Sequence, residues 1–229
     1  ILLSWTLIYF SWSYIEKNRS QLIERLQLKN EMQDLELKSI RSNLQPHFIF
    51  NSLNSIRALV NEDPNAAREA LTKLSKILRG SISIKENSIT LDHEIELVQN
   101  YLHLEKIRFE ERLQYHFDIE YKTRTCLVPP MLLQNMVENA VKYGISPSET
   151  GGTIWINSQI DPQYIRITIK NQGQLNQNTT QDGTSFGMTA SQKRLHFLYP
   201  QAPPITMQEI DEHVVVEILI PNTLKAYEN

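Results

Sequence analysis

The apolar residues of this chain change their period once, and that change limits what the chain can become. Up to Arg112 they recur every three or four residues, the spacing of a helix face. From Leu113 they alternate: Leu113, Tyr115, Phe117, Ile119 and Tyr121 are interleaved with Gln114, His116, Asp118 and Glu120, the pattern of a half-buried strand. A stretch of helices followed by a mixed α/β layer predicts an α+β chain whose two parts meet near Arg112. With 229 residues there is enough chain for one or two cores.

The helical part has three sections. Ile1 to Ile15 is almost wholly apolar or aromatic, and basic Lys17, Arg19, Arg25 and Lys29 follow it. As a helix it would cover roughly 22 Å, less than the roughly 30 Å hydrocarbon core. It reads as the end of a transmembrane helix of a longer protein, with the basic flank on the cytoplasmic side; a buried amphipathic helix is the other reading. Residues 16–44 carry Ile23, Leu26, Asn30, Gln33, Leu37, Ile40 and Leu44 at alternating spacings of three and four, a coiled-coil seam with two polar interruptions. That helix is expected to run on, kinked near Pro46, to about Val60. Asp63-Pro64 opens another helix with Ala67, Ala70, Leu71, Leu74, Ile77 and Leu78 on its apolar face and Gly80 as its stop. After a loop from Ser81 to Ser88, Thr90 caps a third helix lined by Leu91, Ile95, Val98, Leu102 and Phe109.

Beyond the first strand, Val128 to Gly144 reads as helix, Thr153–Ile160 and Tyr164–Asn171 as strands about a turn at Asp161-Pro162, Gly187 to Leu198 as helix and Val214 to Ile220 as a last strand. Ile165, Ile167 and Ile169 should face inward. A net charge of −3 and a pI near 6.1 supply no basic face for nucleic acid. The single Cys126 excludes an internal disulfide and a cysteine-based zinc site.

Three groups of residues carry chemistry. His47 stands in Pro46-His47-Phe48-Ile49-Phe50-Asn51, with Asn51 one helical turn away on the same face. An imidazole on a helix is commonly structural, but it is also a nucleophile at neutral pH. Val137-Glu138-Asn139-Ala140-Val141-Lys142-Tyr143-Gly144 puts a carboxylate, an amide oxygen and an ammonium within a turn of one another, with Asn135 one turn earlier. Alone, this could equally be the polar side of an amphipathic helix. Asn171-Gln172-Gly173-Gln174-Leu175 and Gly183-Thr184-Ser185-Phe186-Gly187 flank a polar stretch that could be a flexible surface loop. The other histidines, at 93, 103, 116, 196 and 213, form no ligand spacing.

Taken together, these motifs resemble the phosphoacceptor box, N-box and glycine boxes of sensor histidine kinases, and are most similar to the LytS/YehU-type group with its P-H-F-x-F-N acceptor. The likeness extends from about Leu35 to Pro221. It implies a membrane-proximal coiled coil and a dimeric four-helix bundle, built from the His47 helix and the Leu91 to Phe109 stretch. A GHKL (Bergerat-type) α/β sandwich would follow. Residues 1–15 would end a transmembrane helix, 16–44 would be a signalling coil, 45–112 the dimerisation and phosphotransfer helices, and 113–229 the ATP-binding domain. In such a kinase His47 accepts the γ-phosphoryl group of ATP, assisted by Asn51, with Glu138 as base. Asn139 is the Mg²⁺ ligand. Asn135, Asn139, Lys142, Asn171, Gly173, Gly183, Gly187 and Arg194 hold the nucleotide. The implied partners are a second copy, the cytoplasmic membrane through the N-terminal segment, and a response regulator of LytTR type, with no direct nucleic acid.

The chain departs from the family pattern at several places. Phe48 follows the acceptor where better-known kinases have an acid. Asn171 stands for the adenine-binding aspartate, Leu175 and Ser185 for glycines, and Ala190 for an asparagine. These changes keep open a degenerate kinase that acts as a phosphatase or scaffold with weak nucleotide binding.

Overall fold

The computed structural model describes residues 46–82, 87–175 and 184–222. The expected membrane segment, the coiled coil and Gly183 lie outside these residues. Apart from Pro46, the described residues lie in one compact unit that begins at His47.

Helix α1 spans Pro46–Glu62. Phe48, Ser52 and Ile56, each one turn from the next, form its buried side. At its end Asp63 accepts hydrogen bonds on Oδ1 from the amides of Asn65 and Ala66, both at 3.0 Å. This is the side-chain cap expected of Asp before Pro at a helix start. Helix α2 then runs Pro64–Ile82 and buries Ala67, Ala70, Leu74 and Ile77. Two expectations fail here. Leu71 is exposed rather than on the packed face, and Gly80 does not stop the helix. A β-carbon on Gly80 would lie 2.8 Å from a Leu97 methyl, so this glycine serves close helix packing.

Strand β1 (Ile89–Thr90) leads into helix α3 (Leu91–Phe109), where the Thr90 hydroxyl accepts from the His93 amide as predicted. All five predicted core residues of α3 are buried. So are Leu97, Tyr101 and Leu104, and so are polar Glu94, Asn100 and Glu105. A helix buried on several sides belongs to the centre of the structure: α3 packs on α2 and on the helix α4 described below.

A 3₁₀ turn, Glu110–Arg112, precedes strand β2 (Leu113–Ile119), so strand begins at the residue where the apolar period changes. Tyr121, expected in the strand, lies in a second 3₁₀ turn. Strand β3 (Leu127–Val128) pairs antiparallel with β1. Helix α4 covers Leu132–Asn139 and continues as a π-helical turn, Ala140–Ile145. Strands β4 (Gly152–Ile160) and β5 (Tyr164–Gln172), helix α5 (Thr184–Leu198), and strands β6 (Thr206–Ile210) and β7 (His213–Pro221) complete the unit.

The main sheet has the order β2-β4-β5-β7-β6. Only β2 and β4 are parallel, which requires the long crossover that contains α4. Register places Ile156 opposite Ile169, and Ile167 opposite Ile218, on one buried face. The inward alternation of Ile165, Ile167 and Ile169 continues to Asn171, which is buried at the end of the same row. The result is a two-layer α/β sandwich. Strand β6 was not anticipated: its hairpin turns on Asp211 and Glu212, both with positive φ (49° and 61°). Two-residue hairpins need such angles and normally announce them with Asn-Gly or Asp-Gly.

Candidate active site

His47 sits exposed in the first turn of α1 while its neighbour Phe48 is buried. The Asn51 amide nitrogen lies 3.2 Å from Nδ1 and 3.3 Å from Nε2 of the imidazole. Nearly equal distances mean that the amide approaches both ring nitrogens and holds the ring without dictating its tautomer. Phe48 fixes the backbone beneath by packing on Tyr101 of α3, with ring centroids 4.8 Å apart. The imidazole is therefore accessible and its helix anchored.

The second group lies on α4 and its π-helical extension. Glu138 is 8% exposed and accepts from the Gln134 amide at 2.9 Å. Burial pushes its carboxyl up to about 7; the Gln134 bond opposes this, and Glu105 and Glu94 add to it. Tyr101 is charge-coupled to both Glu105 and Glu138, and burial raises its phenol well above the usual range. Glu105 pairs with Arg108 at 3.2 Å and is pushed by burial to about 6. Asn139, half-buried, ends the α-helix where the π turn begins, and Lys142 is exposed with its ammonium 4.7 Å from the Tyr143 ring. Among the described residues no group of three histidine, cysteine or acidic side chains could hold a metal. One amide oxygen at the rim of a helix does fit Mg²⁺ bound to a nucleotide, because that ion keeps waters and takes most of its ligands from phosphates.

Helix α4 meets the end of β5 at two glycines. A β-carbon on Gly144 would collide with the Asn171 amide and come within 2.8 Å of the Gln172 carbonyl. Gly173 has φ 136°, a value side chains rarely adopt, and sits against Gly144. Asn171, 5% exposed, donates to the Gln172 carbonyl at 2.8 Å. So Gly144, Asn171 and Gly173 lie along one helix-to-strand junction, and Asn139 stands five residues before Gly144 on the helix that forms it. Asn135 donates to Ser191 of α5 at 3.0 Å, linking the two helices. Gly187, one turn before Ser191, faces open space.

Arg194 does not join this junction. It lies at the other end of α4, where it is attracted to Glu94. Burial lowers its guanidinium below the ordinary value, with Glu94 opposing, and its Nε has no hydrogen-bond partner among the described residues. The part of Glu94 went unforeseen in the sequence, as did those of Tyr101 and Glu105. The signal was present: positions 94, 101 and 105 fall on or beside the apolar stripe of Leu91, Ile95, Val98, Leu102 and Phe109, and acids on such a stripe need partners.

Residues 35–113 match the family model described as histidine kinase. The chain is 30% identical over 202 residues to the sensor protein LytS of Staphylococcus epidermidis, covering 83% of this chain and 34% of that protein. It is 38% identical over 145 residues to the sensor histidine kinase/phosphatase LytS of Staphylococcus aureus, covering 62% and 25% respectively. Thus it spans about a third or less of the length of these curated relatives. Among solved structures, the blue-light activated histidine kinase of Erythrobacter litoralis aligns at TM-score 0.47 and 14% identity, over 79% of this chain and 59% of that one.

Proposed function

With the chain placed among the LytS-type sensor histidine kinases, we propose that it transfers the γ-phosphoryl group of ATP to His47 and then to an aspartate of a response regulator. The observation that carries this reading is the exposed His47 imidazole, bracketed by Asn51 on a helix whose next residue is locked into the core. A lone structural histidine would be satisfied and covered; this one is offered to solvent.

The roles follow from position. An imidazole nitrogen attacks the γ-phosphorus, the bond from phosphorus to the β–γ bridging oxygen breaks, and ADP leaves. Glu138, with its carboxyl near 7, takes the imidazole proton. Asn139 would hold Mg²⁺, which neutralises phosphate charge when bound. Lys142 faces the same solvent and reaches phosphate oxygens. Asn171 accepts from the adenine amino group at the glycine junction, and Asn135, Gly173 and Gly187 shape the surrounding backbone. Such catalysis is mainly positioning and charge neutralisation. In the second step an aspartate oxygen of the regulator attacks the phosphoramidate and the nitrogen–phosphorus bond breaks.

The assembly we assign is a homodimer. The exposed apolar side chains Phe50, Leu53 and Val60 lie on α1 and Leu71 on α2, whereas α3 is already covered within one chain. The four-helix bundle is therefore assigned to α1 and α2 of two copies, in place of α1 and the Leu91 to Phe109 stretch. No helix among the described residues is long and apolar enough to cross a membrane; the anchor we assign is the Ile1 to Ile15 run. The regulator class, LytTR-type, is carried over from the resemblance.

One observation favours a second reading, a kinase weak in nucleotide binding that works chiefly as a phosphatase. The Asn171 amide is committed to the Gln172 carbonyl, and its oxygen is a neutral acceptor. A charged acceptor is worth about 1.5–3 kcal/mol against about 0.5–1.5 for a neutral one, but Asp also loses the donor to the Gln172 carbonyl, so Asn171→Asp should tighten ATP binding by less than about tenfold. Calorimetry that finds Asn171→Asp weaker than the wild type removes this second reading.

The main reading is tested by incubating the chain with γ-labelled ATP. An acid-labile, base-stable protein label that requires Mg²⁺ is expected. An unlabelled chain, or an acid-stable label, would refute it.

A further inference from the structure

The N-terminus of α4 is held by a side chain from another helix. The Glu94 carboxylate, 0% exposed on α3, accepts the amides of Met131 at 2.5 Å, Leu133 at 2.9 Å and Gln134 at 3.4 Å. Met131 itself is in the left-handed region, φ 61° and ψ 21°, and is 2% exposed. A bulky residue at such angles persists only where its surroundings hold it. Among these partners the holder is Glu94, which meets the amide of Met131 and those of the helix start together. Arg194 of α5 brings a positive charge to the same carboxylate.

The helix that supplies this anchor is also the one on which the acceptor helix rests, through Tyr101 and Phe48. Tyr101 lies two turns along α3 from Glu94, so one rigid element carries the seat of His47 and the hold on the helix that bears Glu138 and Asn139. We propose that Glu94 is a positioning residue: it ties the nucleotide-binding helix α4 to α3, so that a shift of α3 moves the metal and base residues together with the acceptor's seat. Its consequence for catalysis rests on the kinase reading, while the anchoring itself does not.

The test uses the full chain without nucleotide first. Glu94→Gln keeps the volume but turns an amide NH₂ toward backbone donors. Hydrogen exchange should accelerate at Met131, Leu133 and Gln134, while amides in the middle of α3, such as Leu102, keep their protection. In the same variant calorimetry should find Mg·ATP binding weakened about tenfold. Unchanged exchange at those three amides overturns the proposal, as does faster exchange there with Mg·ATP affinity unaltered, which would make the cap merely structural. If Glu94→Gln does not fold, Arg194→Gln decides in the nucleotide-free chain: faster exchange at the same amides supports the anchor, and unchanged exchange overturns it. A wild type that binds Mg·ATP without labelling His47 would refute the kinase reading and leave these exchange results standing.

Discussion

A buried carboxylate resists ionisation, and the role of base proposed for Glu138 would put that resistance to use. Its carboxyl is pushed up to about 7, mainly by burial. A base poised there is half in its working form at neutral pH. Activity requires the deprotonated form, so the phosphorylation rate should rise as pH climbs through about 7. Stability has the opposite sign. The folded carboxyl titrates above its unfolded value of 4.5, so stability present below about 4.5 declines as pH rises through about 7. Glu138→Gln should cut the rate about 10²–10⁴-fold, leave Mg·ATP affinity in place, and flatten the pH dependence of the rate; the fall in stability should become shallower but persist, because burial also pushes Glu94 up to about 7 and Glu105 to about 6. Rates measured from pH 5.5 to 8.5 alongside thermal midpoints check this; a variant that keeps the wild-type rate and slope would remove Glu138 as base. The His47–Asn51 contact was legible in the sequence, because the two stand one helical turn apart in one motif. Glu94 was not, because its partners are backbone amides nearly 40 positions away, and backbone amides carry no sequence mark.

Among elements, the glycines of the nucleotide motifs do different work, and substitution should separate them. Gly144 lies where the end of α4 presses on β5, and a methyl there meets the Asn171 amide and a backbone carbonyl. Gly144→Ala should cost about 1–3 kcal/mol of stability, the usual penalty for overpacking. Gly187 is helical with open space about it. Gly187→Ala should raise stability by about 0.5–1 kcal/mol, yet weaken ATP binding where the nucleotide approaches that backbone. Denaturant unfolding with ATP titration tests the pair, and a Gly144→Ala variant as stable as the wild type would contradict the tight junction. The sequence could name these glycines but not rank them, since ranking depends on which strand end α4 meets. The same limit hid β6, whose Asp211-Glu212 turn adopts positive φ without a glycine, and misread Gly80, whose helix continues because Leu97 packs against it.

For the whole molecule, the change of apolar period at Leu113 was enough to foresee helices followed by a mixed α/β layer; that the layer is a sandwich was implied only by the family resemblance. The change of period could not say which helix face is free. In the structure α3 is covered on several sides, while α1 and α2 leave Phe50, Leu53, Val60 and Leu71 exposed, and the homodimer we propose is assigned to that face. Charges at Leu53 and Val60 together should convert a dimer to folded monomers in sedimentation at tens of micromolar; a variant still dimeric there would exclude this face. The central claim is that His47 receives the phosphoryl group from a nucleotide bound elsewhere on the chain. His47→Gln tests it most directly, with Mg·ATP affinity by calorimetry and γ-label incorporation measured on the same preparation. Wild-type affinity with the acid-labile label gone is the expected result. Label retained at the wild-type level would contradict it.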